Sequence, residues 1–267
     1  MGKPVKLFIV EGEKKERRFV SELANCFFKG RYQAEIITVA AAQNIYMLYE
    51  KLRKDEYIDI VELLKEQNEK AGEQLAGISR QDISEVYMFF DHDLQEDNLK
   101  GGIVKSDDSS VVREMLGFFD NETENGKLYI SYPMSEALYD YQDDYCEAFD
   151  KCFVPVSELS GYKKKAGEGN PKAARHFDID AWRMVLNVFF LRVKCLFGFD
   201  ELLFKTYRRE VSAVSVFDRE EELCRERGSV FVLSAFPEFI FDYFKADFWN
   251  SVIRVKRYRY DQCEKMD

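Results

Sequence analysis

Val5-Lys6-Leu7-Phe8-Ile9-Val10-Glu11-Gly12-Glu13-Lys14-Lys15-Glu16 is the stretch that decides the fold. Val5–Val10 is a β-rich, almost wholly apolar run. That pattern predicts a strand covered on both faces, as strands of parallel sheets are. Gly12 lets the backbone turn sharply after the strand. Glu13–Phe28 then takes up helical spacing, with Phe19, Val20, Leu23, Ala24 and Phe27 on one face and charges on the other. A strand that turns at once into an amphipathic helix is the opening of a β-α unit.

The same alternation continues. Ala34–Val39, Ser84–Phe90 and Leu128–Ser131 read as strands. Ala42–Arg53, Tyr57–Ala71, Asp107–Phe119 (capped by Asp107 or Asp108) and Ser135–Phe149 read as helices. The order β-α-β-α-β-α-β-α implies a mainly parallel sheet with right-handed crossovers. Ligands of such sheets gather at the carboxyl ends of the strands, here just after Val10, Phe90 and Ile130. The second half differs. Ser157–His176 is polar and glycine-containing and reads as a loop. Asp178–Phe197, Ser212–Arg225 and Pro237–Phe248 read as helices, and Val252–Tyr260 alternates like a strand. Val230–Ile240 reads as a core strand entering a helix near Pro237; were it exposed, it would be a partner site. The expected class is α/β: a parallel sheet flanked by helices in residues 1–155, then a mainly helical module with a few strands in 156–267.

Composition narrows the function. Of 267 residues, 46% are hydrophobic, which is enough for a substantial core and excludes a wholly disordered chain. The net charge is −10, against the basic balance of a protein that coats DNA. The charge is uneven. Residues 1–150 hold 18 Lys/Arg against 31 Asp/Glu, a net of −13, and residues 151–267 hold 21 against 18, a net of +3. No apolar run approaches the roughly 20 residues of a membrane span. The short N-terminal apolar run lacks a cleavage site, so a cytoplasmic protein is expected. The six cysteines, Cys26, Cys146, Cys152, Cys195, Cys224 and Cys263, form no C-x-x-C pair or zinc grouping and read as free thiols. With only two histidines, His92 and His176, a His-based triad or multi-His metal centre is disfavoured.

Two acidic motifs stand at strand ends. Glu11 precedes Gly12 after the first strand, and Asp91-His92-Asp93 ends the third. Taken singly, E-G is a common turn and D-x-D a common solvated loop. Taken together, they put three carboxylates at one edge of one sheet. Hard cations such as Mg²⁺ take oxygen ligands and relieve the repulsion among such acids. His92 sits between the aspartates, and alternation points it away from them, toward packing.

These motifs resemble those of the TOPRIM domain of topoisomerases, bacterial primases and OLD nucleases, over roughly residues 4–150. The carriers are Leu7-Phe8-Ile9-Val10-Glu11-Gly12-Glu13-Lys14-Lys15-Glu16, Tyr87-Met88-Phe89-Phe90-Asp91-His92-Asp93 and Ser131-Tyr132-Pro133-Met134-Ser135-Glu136. The E-G-E-K-x-E wording and the fourth-strand segment are similar to RloB-like and abortive-infection proteins, including the AriB-like effectors of the PARIS anti-phage system. The resemblance implies that Asp91 and Asp93 hold Mg²⁺ (Mn²⁺ substituting), that Glu11 acts as general acid/base or as a further metal ligand, and that Glu136 is an accessory acid of the catalytic set. It leaves the role of Glu16 open. Two departures are plain: Tyr132 stands where asparagine is expected, and Asp97 comes four residues after Asp93 instead of two. The implied activity is hydrolysis of host tRNA, other RNA or DNA in phage defence.

Four basic clusters offer themselves to phosphates. They are Lys14, Lys15, Arg17 and Arg18 beside Glu11; Lys163, Lys164, Lys165, Lys172, Arg175 and His176; Lys205, Arg208 and Arg209; and Arg254, Lys256, Arg257 and Arg259 interleaved with tyrosines. The alternative for each is a solvated face or a protein-partner patch. No G-x-x-x-x-G-K-[ST] occurs, so the sequence shows no Walker-type ATPase site; the resemblance to RloB-like and PARIS effectors implies a separate ATPase partner, and homodimerisation is left open. The competing readings are a non-catalytic interaction module on the same scaffold and a primase-like nucleotidyltransferase.

Overall fold

A computed structural model describes residues 3–30, 34–55, 57–92, 109–141, 152–168 and 170–244. The chain forms two compact units, Met1–Ile130 and Ser131–Asp267.

The N-terminal part is a five-strand, mostly parallel sheet flanked by helices. Its strands are β1 (Val5–Val10), β2 (Glu35–Ala40), β3 (Ile83–Asp91), β4 (Asp120–Asn121) and β5 (Gly126–Ser131), in the order β2-β1-β3-β5-β4. β1 pairs in parallel with β2 on one side and with β3 on the other. Every residue of β1 is buried, as an apolar central strand requires. Lys6 is no exception: it pairs with Glu85, its register partner on β3, and Tyr87 Oη donates to the same carboxylate at 2.7 Å. A buried charge in a central strand is tolerated when paired in this way. β4, which pairs antiparallel with β5, is not legible as a strand in the sequence.

Around the sheet lie α1 (Lys15–Leu23), α2 (Ile45–Lys54), α3 (Ile60–Gln67), α4 (Glu69–Gln74) and α5 (Ser109–Phe118). Beyond Leu23 the first helix widens into π-type turns over Ala24–Phe28. The single helix expected over Tyr57–Ala71 is two. Asn68 ends α3 and caps α4, its side chain accepting from Lys70 N and Ala71 N and donating to Ala40 O. Such side-chain bonds give the backbone an alternative to a continuous helix. Phe8 anchors the core, wholly buried between Phe28, Tyr87 and Phe89.

The second unit is mainly helical, with one small sheet of β6 (Phe153–Pro155) antiparallel to β7 (Ser229–Phe231). Its helices are α6 (Leu159–Lys163), α7 (Ile179–Phe197), α8 (Phe204–Glu210), α9 (Ala213–Arg227) and α10 (Ala235–Tyr243). Asp178 caps α7, accepting from Asp180 N and Ala181 N, and Trp182, Leu186, Phe189 and Val193 bury its apolar face. Val230–Phe241 is buried throughout, so the default core reading of that segment holds. α10 starts two residues before Pro237.

Two expectations are corrected. Ser157–His176 is not a loop: α6 runs into π-type turns at Lys164–Glu168, and a 3₁₀ turn comes next at Pro171–Ala174. The helix expected over Ser135–Phe149 is a 3₁₀ turn at Ser135–Tyr139; residues 142–150 lie outside the described residues. So do Asp93, Asp97, Asp107, Asp108, Cys146, Cys263, Arg257, Arg259 and the whole 252–260 segment. Among the described residues no helix is long and apolar enough to cross a membrane. The four described cysteines form no disulfide.

Candidate metal and phosphodiester site

Glu11 and Asp91 come together because β1 and β3 are parallel neighbours that end at the same edge. Val10 registers with Phe89, Glu11 N donates to Phe89 O at 3.2 Å, and Asp91 N donates to Glu11 Oε2 at 3.0 Å. One carboxylate oxygen is therefore fixed by the neighbouring strand's backbone. On the other side of β1, Ala41 N donates to Val10 O at 2.8 Å, and Ala42 takes up a left-handed φ of 55°. Residues held at positive φ without being glycine tend to sit near functional edges.

Glu16 belongs to this edge too. A β-carbon placed on Gly12 would meet Glu16 Oε2 at 2.5 Å, so the Glu16 carboxylate folds back from the first turn of α1 over the residue next to Glu11. A side chain at position 12 would displace that flexible carboxylate. The turn is tied down by Glu13, whose two oxygens accept from Lys70 Nζ on α4 at 2.8 and 2.7 Å. That hydrogen bond and the Lys70 charge hold the Glu13 carboxyl below its ordinary range.

Glu11 and Asp91 are both hard oxygen donors, the class that Mg²⁺ and Mn²⁺ prefer. The donor chemistry fits the metal that the motif implies. Among the described residues no three His, Cys, Asp or Glu side chains converge tightly enough to hold an ion by themselves. Asp93, the third ligand read from the motif, lies outside them. Desolvation pushes the His92 ring down to about 4.

Glu136 is placed in the second unit. It lies in the Ser135–Tyr139 turn, is 1% exposed, and accepts from Ser135 Oγ at 3.3 Å. The turn comes after a cis Tyr132–Pro133 peptide and a bridge in which Tyr132 and Leu233 exchange backbone hydrogen bonds. Sequence reasoning names Glu136 but misses its surroundings. Asn170 Nδ2 donates to Tyr139 O at 3.3 Å, Tyr162 Oη donates to Asp140 Oδ2 at 3.3 Å, and Arg192 Nη2 lies 3.7 Å from Asp140 Oδ1. Lys172 donates to Tyr141 O and sits 4.1 Å from the centre of its ring. These partners stand tens of residues further along the chain, and no local pattern announces them.

The cations separate into engaged and open groups. Arg18 lies 3.8 Å from Glu22, Arg208 pairs with Asp242, and Arg209 pairs with Glu210 at 2.6 Å. Lys15 is half-buried at the start of α1 and Lys14 is exposed. Lys163, Lys164, Lys165 and Arg175 are exposed, and none is in an ion pair among the described residues.

At the opposite, amino-terminal edge of the sheet a cleft of about 470 Å³ opens among Arg53, Asp55, Tyr57, Arg80 and Phe118. It belongs to the other end of β3 from Asp91.

Comparison of the chain with protein-family models, curated proteins and solved structures gives no match.

Proposed function

We propose that this chain is a Mg²⁺-dependent nuclease of the TOPRIM type, acting on phosphodiesters of tRNA, other RNA or DNA. The observation that carries the reading is the hydrogen bond from Asp91 N to Glu11 Oε2 at the shared carboxyl edge of β1 and β3. It sets two acids from distant parts of the chain side by side where ligands of parallel sheets bind. Glu11 and Asp91, with Asp93, would hold the ion. When bound, Mg²⁺ neutralises phosphodiester charge and polarises the attacking oxygen. In the alternative role Glu11, whose Oε2 accepts from the Asp91 amide, would be the group that takes or returns a proton. Glu16, folded over Gly12, adds negative charge beside it. The exposed Lys163, Lys164, Lys165 and Arg175 supply cations of the kind that neutralise a phosphate backbone. A phage-defence effector held in check by a separate ATPase is the biological setting that the motif wording implies.

The test is incubation with labelled tRNA and with plasmid, in Mg²⁺ or EDTA, alone and with any ATPase encoded beside it. Cutting that needs Mg²⁺ and disappears in both Glu11→Ala and Asp91→Ala supports the reading. Cutting that survives either substitution overturns it.

One observation favours the non-catalytic alternative. The Glu11 carboxylate also has a structural use, tying the end of β1 to β3. The same assay separates the two, because a scaffold acid has no reason to confer Mg²⁺-dependent cutting.

A further inference from the structure

The segment 159–174 has two faces with different work. Tyr162 and Ala166, one helical turn apart, are buried, and they pack with Ala137, Val232 and the flanking Met134. Ala137 is the residue after Glu136. Between Tyr162 and Ala166, Lys163, Lys164 and Lys165 occupy the remaining arc and face solvent. The inner face is therefore fastened to the Glu136 turn, and the outer face is a run of cations.

The fastening is also polar, at three successive residues. Asn170 holds Tyr139 O, Tyr162 Oη holds Asp140 Oδ2, and Lys172 holds Tyr141 O. Arg192, 3% exposed within α7, approaches the other Asp140 oxygen at 3.7 Å and donates to Val232 O at 2.6 Å. Asp140 is thus the junction between the lysine-bearing segment, the Glu136 turn and the buried core of its unit.

We infer that the segment 159–174 is a phosphate-reading arm, whose lysines grip a nucleic-acid backbone and whose inner face transmits that occupancy to residues 135–141. The identity of the polyanion as nucleic acid rests on the proposed function; the coupling rests on the packing and hydrogen bonds alone. The physical reason is preorganisation. An arm already held by Asp140 loses less conformational freedom when its lysines bind, so binding and the order of the turn favour each other. Linkage then makes the effect reciprocal: loosening the junction must weaken binding.

That reciprocity gives a test with a diagnostic sign. Removing the negative charge of Asp140 should, by Coulomb attraction alone, leave polyanion binding unchanged or tighter. The arm requires the opposite. Binding of fluorescent tRNA to the full chain is measured by anisotropy in EDTA, so that no cutting intervenes. Folding of each variant is checked by circular dichroism and thermal melting. Asp140→Asn is expected to weaken binding about 3- to 10-fold. Replacing Lys163, Lys164 and Lys165 together by Ala is expected to weaken it at least 10-fold. The triple change should also reduce the slope of log K against log salt by roughly 2–3, one unit or slightly less per phosphate contact. Hydrogen exchange of the amides in residues 135–141 should slow at least fivefold when tRNA binds, and not in the triple variant.

Asp140→Asn with unchanged or tighter binding overturns the coupling. A triple variant within twofold of the parent overturns the arm. Displacement of tRNA by poly-glutamate at equal charge concentration overturns the nucleic-acid assignment in favour of an acidic protein partner. A chain that passes these tests yet never cuts in Mg²⁺ loses the proposed nuclease activity and keeps the arm.

Discussion

The hydrogen bond between Asp91 N and Glu11 Oε2 makes Glu11→Gln and Glu11→Ala a discriminating pair. Glu11 does two things in the proposed reading: it ties β1 to β3, and it offers charge and a proton-accepting oxygen to the phosphodiester site. Alanine removes both. Glutamine keeps an oxygen acceptor for the Asp91 amide and removes the charge and the basicity. A hydrogen bond to a charged acceptor contributes about 1.5–3 kcal/mol, and less where water reaches the orphaned amide. The edge is only half-buried, so Glu11→Ala is expected to cost about 1–2 kcal/mol. At about 2–4 °C per kcal/mol for a domain of this size, its melting temperature falls by roughly 2–8 °C. Glu11→Gln should lose less than about 1 kcal/mol. Activity divides differently. Loss of a positioned general acid or base lowers rate by about 10²–10⁴-fold, and both variants should fall by at least about 100-fold in Mg²⁺-dependent cutting. Mn²⁺ affinity, measured by calorimetry without substrate, should weaken at least about tenfold in both, since even outer residues of metal sites contribute that much. The assays are thermal melting, metal titration and cleavage of labelled tRNA. Glu11→Gln that cuts within threefold of the parent, or binds Mn²⁺ equally well, refutes the assignment. A Gln variant as destabilised as Ala refutes the structural half.

Gly12→Ala should push the flexible Glu16 carboxylate aside. Its melting temperature should therefore stay within about 4 °C of the parent, while Mn²⁺ affinity falls as the negative charge beside Glu11 retreats. A loss of folding would show that the turn itself, and not the close approach of Glu16, requires glycine. Phe8→Ala empties a fully buried ring site among Phe28, Tyr87 and Phe89 and is expected to cost about 3–5 kcal/mol, read from denaturant unfolding. Glu220 gives a pH prediction. Burial pushes its carboxyl well above the ordinary value, partly offset by the Phe231 amide and Arg192. A raised folded pKa means that, above the unfolded value near 4.5, the unfolded chain releases a proton which the folded chain retains. Stability from this group is therefore whole below that pH and declines as pH rises toward the folded pKa. Glu220→Gln should gain stability relative to the parent on going from pH 5 to pH 8; a gap that is constant or shrinks contradicts the reading.

The acids at the strand ends are legible because two short-range rules locate them. A both-faces-apolar run such as Val5–Val10 names a central strand, and parallel strands present the residues beyond their carboxyl ends at one edge. The caps Asp178 and Ser212 stand where the sequence starts those helices, whereas Asn44 and Asp59 start α2 and α3 two or three residues later than the helices read from Ala42 and Tyr57. Ser157–His176 reads wrongly as a loop because its glycines and lysines carry no sustained apolar period. Its short helical turns exist only because Tyr162 and Ala166 find Ala137 and Val232 to pack on. Isolated helices of that length do not form on propensity alone. β6 escapes a sequence reading for the same kind of reason: three residues make a strand only when Ser229–Phe231, far along the chain, supplies the other side.

The amino-acid sequence by itself determined the alternation of strands and helices, the buried course of β1, and the presence of Glu11 and Asp91 at the ends of β1 and β3. Those are consequences of periodicity and turn chemistry within a short reach of each position. Tertiary structure alone decided that the Asp91 amide grips the Glu11 carboxylate, that Glu16 folds over Gly12, and that Glu136 lies buried in a turn. It alone made Asp140 the meeting point of Tyr162 and Arg192. Hydrogen bonds and ion pairs between residues far apart in the chain leave no periodic trace, because each needs only one suitable atom at the end of a path set by the packing of everything between.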